Sequence, residues 1–114
     1  MIVLGAGMIG SAMAQDLAEN AGLEVHIADS RAENLDRVAK KFPVRTHQAD
    51  LSNPEWVRAL LKGYRLAIGA LPSVIGLQSV KAGIEAGCDM VDISFMSEDA
   101  RSLDALARER GVTA

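Results

Sequence analysis

A single cysteine, Cys88, stands among 114 residues, so no internal disulfide is available and a reducing cytoplasm is the expected compartment. Aromatic residues make up only 4% of the chain, which leaves the packing to alanine, leucine, valine and isoleucine. No apolar run is long enough to span a bilayer, and a membrane is not an expected partner. Residues 1–4 (MIVL) lack the basic leader and the length of a signal core, and are read as structure. Nor is there a basic stripe: acids and bases are mixed, the formal charge is −3, and nucleic acid is not an expected partner. The chain shows no internal repeat and no low-complexity linker, so a single domain spanning 1–114 is expected. What remains, 49% hydrophobic and 24% charged residues, is the composition of a soluble globular domain.

Residues 1–4 read as a strand buried on both faces. The period then changes. Ile9, Met13, Leu17 and Ala21 recur every four residues with Ala14 and Ala18 beside them, which predicts a helix that Gly22 stops. A second strand is expected at 24–28 (EVHIA), followed by a capping box, Ser30 to Glu33, that starts a helix with Leu35, Val38, Ala39 and Phe42 inward and Pro43 at its end. Residues 44–48 form a weaker third strand, and Asn53-Pro54 caps a helix facing inward through Val57, Leu60 and Leu61. Residues 65–71 (RLAIGAL) read as a fourth strand. Ser73 stands at the following turn, Leu77, Val80 and Ile84 line the next helix, and Gly87 closes it. Residues 90–93 make a fifth strand, Ser97 caps a last helix carrying Leu103, Leu106 and Ala107, and Gly111 stops it. Residues 112–114 look like the first part of a truncated sixth strand. Such alternation, with short connections, specifies an α/β fold: a doubly wound parallel sheet, Rossmann-type, with helices on both faces.

The stretch Gly5-Ala6-Gly7-Met8-Ile9-Gly10 lies between strand and helix. An acidic residue, Asp29, ends the next strand about 20 residues further on, the spacing of a dinucleotide-binding unit. Gly5 would allow the tight turn, Gly7 would leave the pyrophosphate unobstructed, and Gly10 would let the helix approach the sheet. The N–H groups and positive dipole end at Met8, Ile9 and Gly10 would face the phosphates. Asp29 would accept hydrogen bonds from the adenosine ribose, which favours NAD. Ser30 and Arg31 keep NADP open, because a guanidinium matches a 2′-phosphate. The bland reading makes Asp29 or Ser30 a helix cap and Arg31 a solvated residue.

Asp50 after the third strand can meet the adenine amino group or serve as a turn aspartate, with Leu51 against the base. Ala70, Leu71 and Pro72 leave the fourth strand at its carboxyl end, where small residues would let the diphosphate and nicotinamide ribose pass. Asp92, within an apolar run, is expected to be buried and to need a partner. Cys88 reads as a packed small residue. His26 and His47 lack metal-ligand spacing, so no metal is expected and neither is assigned chemistry. Met8, Met13, Met90 and Met96 read as core or turn fillers.

The segments VLGAGMIG, ADSR, ADLSNPE, ALPS, KAGIEAGCDMVDIS and ARERGVT together resemble the amino-terminal cofactor domain of saccharopine dehydrogenases and the related lysine dehydrogenases. The resemblance runs over essentially the whole chain and is most specific in residues 81–94. It implies an NAD(P)-dependent oxidoreductase acting on CH–NH groups of amino acids. In that family the amino-acid-like substrate is held largely by a second domain after the sixth strand, so this chain is expected to bind the cofactor and to be inactive alone. It also leaves open a homodimer of the full-length protein. The rival class is a regulatory domain that senses NAD(H) or another nucleotide without catalysis. Against it stand Leu71-Pro72-Ser73 and residues 88–94.

Overall fold

In the computed structural model, which describes residues 1–19 and 23–114, five strands form one parallel sheet in the order β3-β2-β1-β4-β5. They are β1 (Ile2–Leu4), β2 (His26–Asp29), β3 (Arg45–Gln48), β4 (Leu66–Gly69) and β5 (Asp89–Asp92). The helices between them are α1 (Met8–Glu19), α2 (Ala32–Ala39), α3 (Pro54–Leu61) and α4 (Ser73–Glu85). A 3₁₀ turn at Ala100–Leu103 leads into α5 (Asp104–Arg110). The expected doubly wound α/β architecture is therefore present.

The chain begins in the middle of the sheet, winds out to β3, crosses back to β4 and winds out again to β5. β1 pairs with β2 on one side, Val3 opposite Ile27, and with β4 on the other, Val3 opposite Ile68. Ile2, Val3 and Leu4 are each fully enclosed, as a central strand covered on both faces requires. Burying each of those side chains contributes about 1.5–3 kcal/mol. Alternation divides the core. Val3 and Ile27 pack with Ala14, Leu35 and Val38 under α1 and α2, whereas Ile2, Leu4, Ala28, Ala67 and Met90 pack with Val57, Leu61, Val80 and Ile84 under α3 and α4. The direction of winding reverses between β1 and β4, and this opens a crevice at the carboxyl ends of those strands.

Several local expectations need correction. The inner face of α1 runs through Gly10 and Ala14, with Leu17 and Ala18 half-buried, while Ile9 is exposed. The cause is Gly10: a Cβ there would overlap the carbonyl oxygen of Gly5, so the glycine itself, and not its apolar neighbour, sits against the turn. Ala21 and Gly22, expected to finish that helix, lie outside the described residues. The capping box does not form. α2 starts at Ala32, with Arg31 and not Ser30 in the cap position and no side-chain cap, and the Arg31 N–H donates to the carboxylate of Asp29, within β2, at 2.8 Å. Ala39 is exposed and Phe42 lies beyond the end of α2, half-buried.

Ser73 is the first residue of α4 and makes no capping bond. Ser97 caps nothing; Asp99 accepts the Arg101 N–H at 3.0 Å and starts the 3₁₀ turn instead. Asn53 caps α3 as expected, accepting the Glu55 N–H at 3.0 Å with Pro54 at the first helical position. Gly87 and Gly111 follow α4 and α5 with φ of +77° and +67°, as left-handed helix stops do. Residues 112–114 form no strand, yet the Met90 N–H donates to the Thr113 carbonyl at 2.8 Å, on the free edge of β5. Among the described residues no helix is long and apolar enough to cross a membrane.

Candidate functional site

The crevice at the carboxyl ends of β1, β2 and β4 is a groove of about 650 Å³, within the size range of small-molecule sites. The structure brings together along it Gly5, Gly7, Met8, Ile9 and Gly10 from the turn and start of α1, Asp29 at the end of β2, and Ser30 and Arg31 after it. Asp50 and Leu51 after β3, and Ala70, Leu71 and Pro72 after β4, complete the walls. Asn34, Ser52 and Ile75 also line it and were not singled out from the sequence. Asn34 and Ile75 carry a readable signal, since each lies in the first turns of a helix that follows a groove strand. Nothing marks Ser52 beforehand except its place two residues after Asp50.

The glycine turn is held from three sides. Gly5 donates its N–H to the Ala28 carbonyl at 2.8 Å, at a φ of +103° that side-chain-bearing residues rarely adopt. A Cβ on it would lie 2.5 Å from the Ala70 carbonyl oxygen, so β4 also demands glycine there. Ser11 donates its hydroxyl to the Ala6 carbonyl at 2.9 Å. Gly7 is different: it is exposed, and a Cβ would meet no protein atom within 4 Å. Its missing side chain therefore leaves open space in the groove and is not needed for packing. The first-turn N–H groups of α1 have no carbonyl to bond within the helix and lie beside that space.

Asp29 is 8% exposed and works inside the protein. Oδ2 accepts the Ala6 N–H at 2.7 Å, and Oδ1 accepts the Arg31 N–H at 2.8 Å and the Asn34 amide at 3.4 Å. The carboxylate thus ties the end of β2 to the glycine turn. Of its roughly four lone-pair positions, three are taken. By contrast, Ser30 and Arg31 are exposed, and among the described residues the Arg31 guanidinium has no hydrogen-bond or ion-pair partner. Asp50 accepts the Ser52 N–H at 3.1 Å and its hydroxyl, in the manner of a turn aspartate, and keeps an exposed edge on the groove.

Asp92 lies beyond the groove, at the end of β5. Its Oδ1 accepts the Ser94 N–H at 2.7 Å, while Oδ2 is enclosed against Gly69 without a hydrogen-bond partner among the described residues. The residue as a whole is half-buried. Met90 is core, as expected, but Met8 is 91% exposed and fills nothing. Cys88 is fully buried, and burial pushes its thiol up to about 11. A thiolate-selective reagent at neutral pH should therefore leave Cys88 unmodified in the folded protein and label it promptly in denaturant; labelling of the folded protein would contradict this burial.

A model of the saccharopine dehydrogenase NADP binding domain matches residues 1–114. The mitochondrial alpha-aminoadipic semialdehyde synthase of Rattus norvegicus is 22% identical over 114 residues, covering 99% of this chain and 12% of that protein. The chain thus spans about an eighth of this curated relative's length. In fold it is similar to saccharopine dehydrogenase (L-Glu forming) from Saccharomyces cerevisiae, with a TM-score of 0.86 and 23% identity over 98% of this chain and 25% of that one. It is also similar to a 3-ketoreductase from Actinomadura kijaniata, solved with NADP and TDP-benzene, with a TM-score of 0.77 and 24% identity over 97% of this chain and 34% of that one. The match of the family model from the first residue to the last, on a sheet that opens its crevice at the glycine turn, settles the kinship: the chain belongs to the saccharopine dehydrogenase NADP binding domain family.

Proposed function

We propose that this chain is the cofactor-holding domain of a longer NAD(P)-dependent oxidoreductase that makes or breaks a C–N bond of an amino-acid-like substrate. The observation that carries the reading is the glycine turn: its backbone is locked by β2, β4 and Asp29, while Gly7 keeps the groove open beside the free N–H groups of α1. That arrangement suits a pyrophosphate. The bound nicotinamide would supply hydride transfer. Leu51 is almost fully buried beneath the adenine end, and Ala70, Leu71 and Pro72 would let the nicotinamide ribose pass above β4.

Between the two dinucleotides, the geometry favours NADP. Asp29 has one acceptor position left, too few for both ribose hydroxyls of NAD, while Arg31 and Ser30 offer a 2′-phosphate a guanidinium and a hydroxyl without partners among the described residues. A purely regulatory sensor is the less favoured reading, since the family match runs the full length of the chain. Substrate capture and any dimer belong, on this proposal, to parts of a longer polypeptide. Titration of the chain with NADPH and NADH, followed by cofactor fluorescence, tests the reading. Binding of at least one is expected, and no binding of either at millimolar cofactor would refute it.

A further inference from the structure

On the far side of β2 and β3 from α1 and α2, three side chains meet for which the groove has no use. His26 opens β2, and His47 stands opposite Ala28 in β3, so both project on the face that Ile2, Leu4 and Ala28 share. Tyr64 joins them from the turn before β4. His26 Nδ1 and His47 Nε2 are 2.8 Å apart, and the Tyr64 hydroxyl lies 2.8 Å from the first and 3.1 Å from the second.

The two imidazole rings are within 14° of parallel, with centroids 5.0 Å apart. That separation is almost the N···N distance with the two ring radii added, so the rings meet edge to edge and in line. This is the geometry of an N–H···N hydrogen bond, and the line between the two nitrogens has room for one proton. Among the described residues no three His, Cys, Asp or Glu side chains gather as metal ligands, which leaves the proton as the natural occupant.

The remaining charges around the pair set how many protons it accepts. Glu24 faces the outer nitrogen of His26 at 3.3 Å and is itself paired with Arg45 at 3.2 Å, while the Met1 amino group donates to the Glu24 carbonyl. The line between His26 Nδ1 and His47 Nε2 holds one proton. A second would set N–H against N–H. Burial and then the charge of His26 both hold His47 below its ordinary value, and burial raises the Tyr64 phenol, which stays protonated.

β3 is an edge strand, and His47 is its one half-buried side chain, the others being exposed. Three residues after His47 comes Asp50, and then Leu51, the adenine wall of the groove. We propose that the His26–His47 junction is a one-proton lock on β3, and that a second proton in mild acid opens it, loosens the Asp50–Leu51 wall and releases dinucleotide. The release step rests on the functional reading above; the lock itself does not.

The sign follows from which state binds the proton. Unfolded chains take up the His47 proton near the ordinary value of about 6.5, whereas the folded chain resists it. The lock's contribution is therefore complete above that pH and is lost as the pH falls through it toward the lowered folded value.

The test measures NADP⁺ affinity from about pH 8 to about pH 5.5 on the wild type and on His47→Gln, which keeps a hydrogen-bonding side chain but cannot titrate. Ring ¹⁵N shifts and amide exchange along β3 are followed in the same samples. The wild type should lose roughly tenfold more affinity than the variant across that range, and its rings should titrate in two separated steps with β3 exchange rising at the second. Independent titration of both rings, or an equally steep loss of affinity in His47→Gln, overturns the lock. Absence of binding even at the alkaline end would count against the functional reading, and the ring and exchange data would still decide the lock.

Discussion

Gly10→Ala should destabilise the amino-terminal turn, whereas Gly7→Ala, three residues away, should leave the fold intact and weaken cofactor binding. A methyl on Gly10 would overlap the Gly5 carbonyl oxygen and come within 2.8 Å of the Gly5 carbonyl carbon. Both are backbone atoms fixed by bonds from Gly5 to Ala28 and from Ala70 to Leu4, at 2.8 Å each, so nothing flexible can give way. The helix must back off from the sheet, at a cost of about 3 kcal/mol, the upper range for overpacking. For a domain of this size that lowers Tm by on the order of 10 °C.

Gly7 has no such neighbour and no positive φ, so alanine fits its backbone and could even stabilise the chain by a few tenths of a kcal/mol, as less freedom is lost on folding. On the function proposed above, the added methyl takes open space beside the first turn of α1 that the pyrophosphate needs. A loss of at least about tenfold in dinucleotide affinity is expected, equivalent to about 1.4 kcal/mol. Thermal melts and cofactor titrations on the two variants separate the cases. A stable Gly10→Ala would refute the packing role, and tight binding by Gly7→Ala would refute the placement of the phosphates.

The contrast between these glycines also marks how far the residues alone could be read. Their spacing, the apolar run before them and Asp29 at the end of β2 were enough for the parallel sheet and for most of the residues that line the groove, though not for Asn34, Ser52 and Ile75, because period and spacing depend on local sequence. The face of α1 was misread because Gly10 carries no hydrophobicity to register in a period. Its burial comes from a close approach that only the folded backbone reveals. Ser30 was misread for a similar reason. Ser30 to Glu33 satisfies the local capping pattern, but α2 starts at Ala32 with Arg31 in the cap position, one residue later than that pattern requires, and the Arg31 N–H goes to Asp29, whose carboxylate also reaches 23 residues back to Ala6. The His26–His47–Tyr64 junction was beyond reach for the simplest reason: its members are 17 to 38 residues apart, and nothing in their neighbours announces that they meet.

Arg31→Ala is expected to lower NADPH affinity by roughly tenfold or more while moving NADH affinity by less than about twofold. A bidentate, charge-assisted contact to a phosphate is worth about 1.5–3 kcal/mol, and NADH has no 2′-phosphate to lose it. The structure explains why Arg31 is free to make such a contact. Its backbone N–H is spent on Asp29, which fixes where the residue sits, while its guanidinium, at the groove wall, has no hydrogen-bond or ion-pair partner among the described residues. Asp29 opposes the phosphate by charge, but its oxygens face Ala6, Arg31 and Asn34. Asp29→Ala should therefore act differently from Arg31→Ala: it leaves the Ala6 N–H without its acceptor, costs about 1–3 kcal/mol of stability, and weakens both dinucleotides together through the turn. Should Arg31→Ala weaken NADH as much as NADPH, the guanidinium would be serving the pyrophosphate or the fold, and the assignment of the 2′-phosphate to Arg31 would be wrong. Should Asp29→Ala spare NADPH and weaken NADH alone, the carboxylate would be a ribose ligand after all, and NAD the natural cofactor.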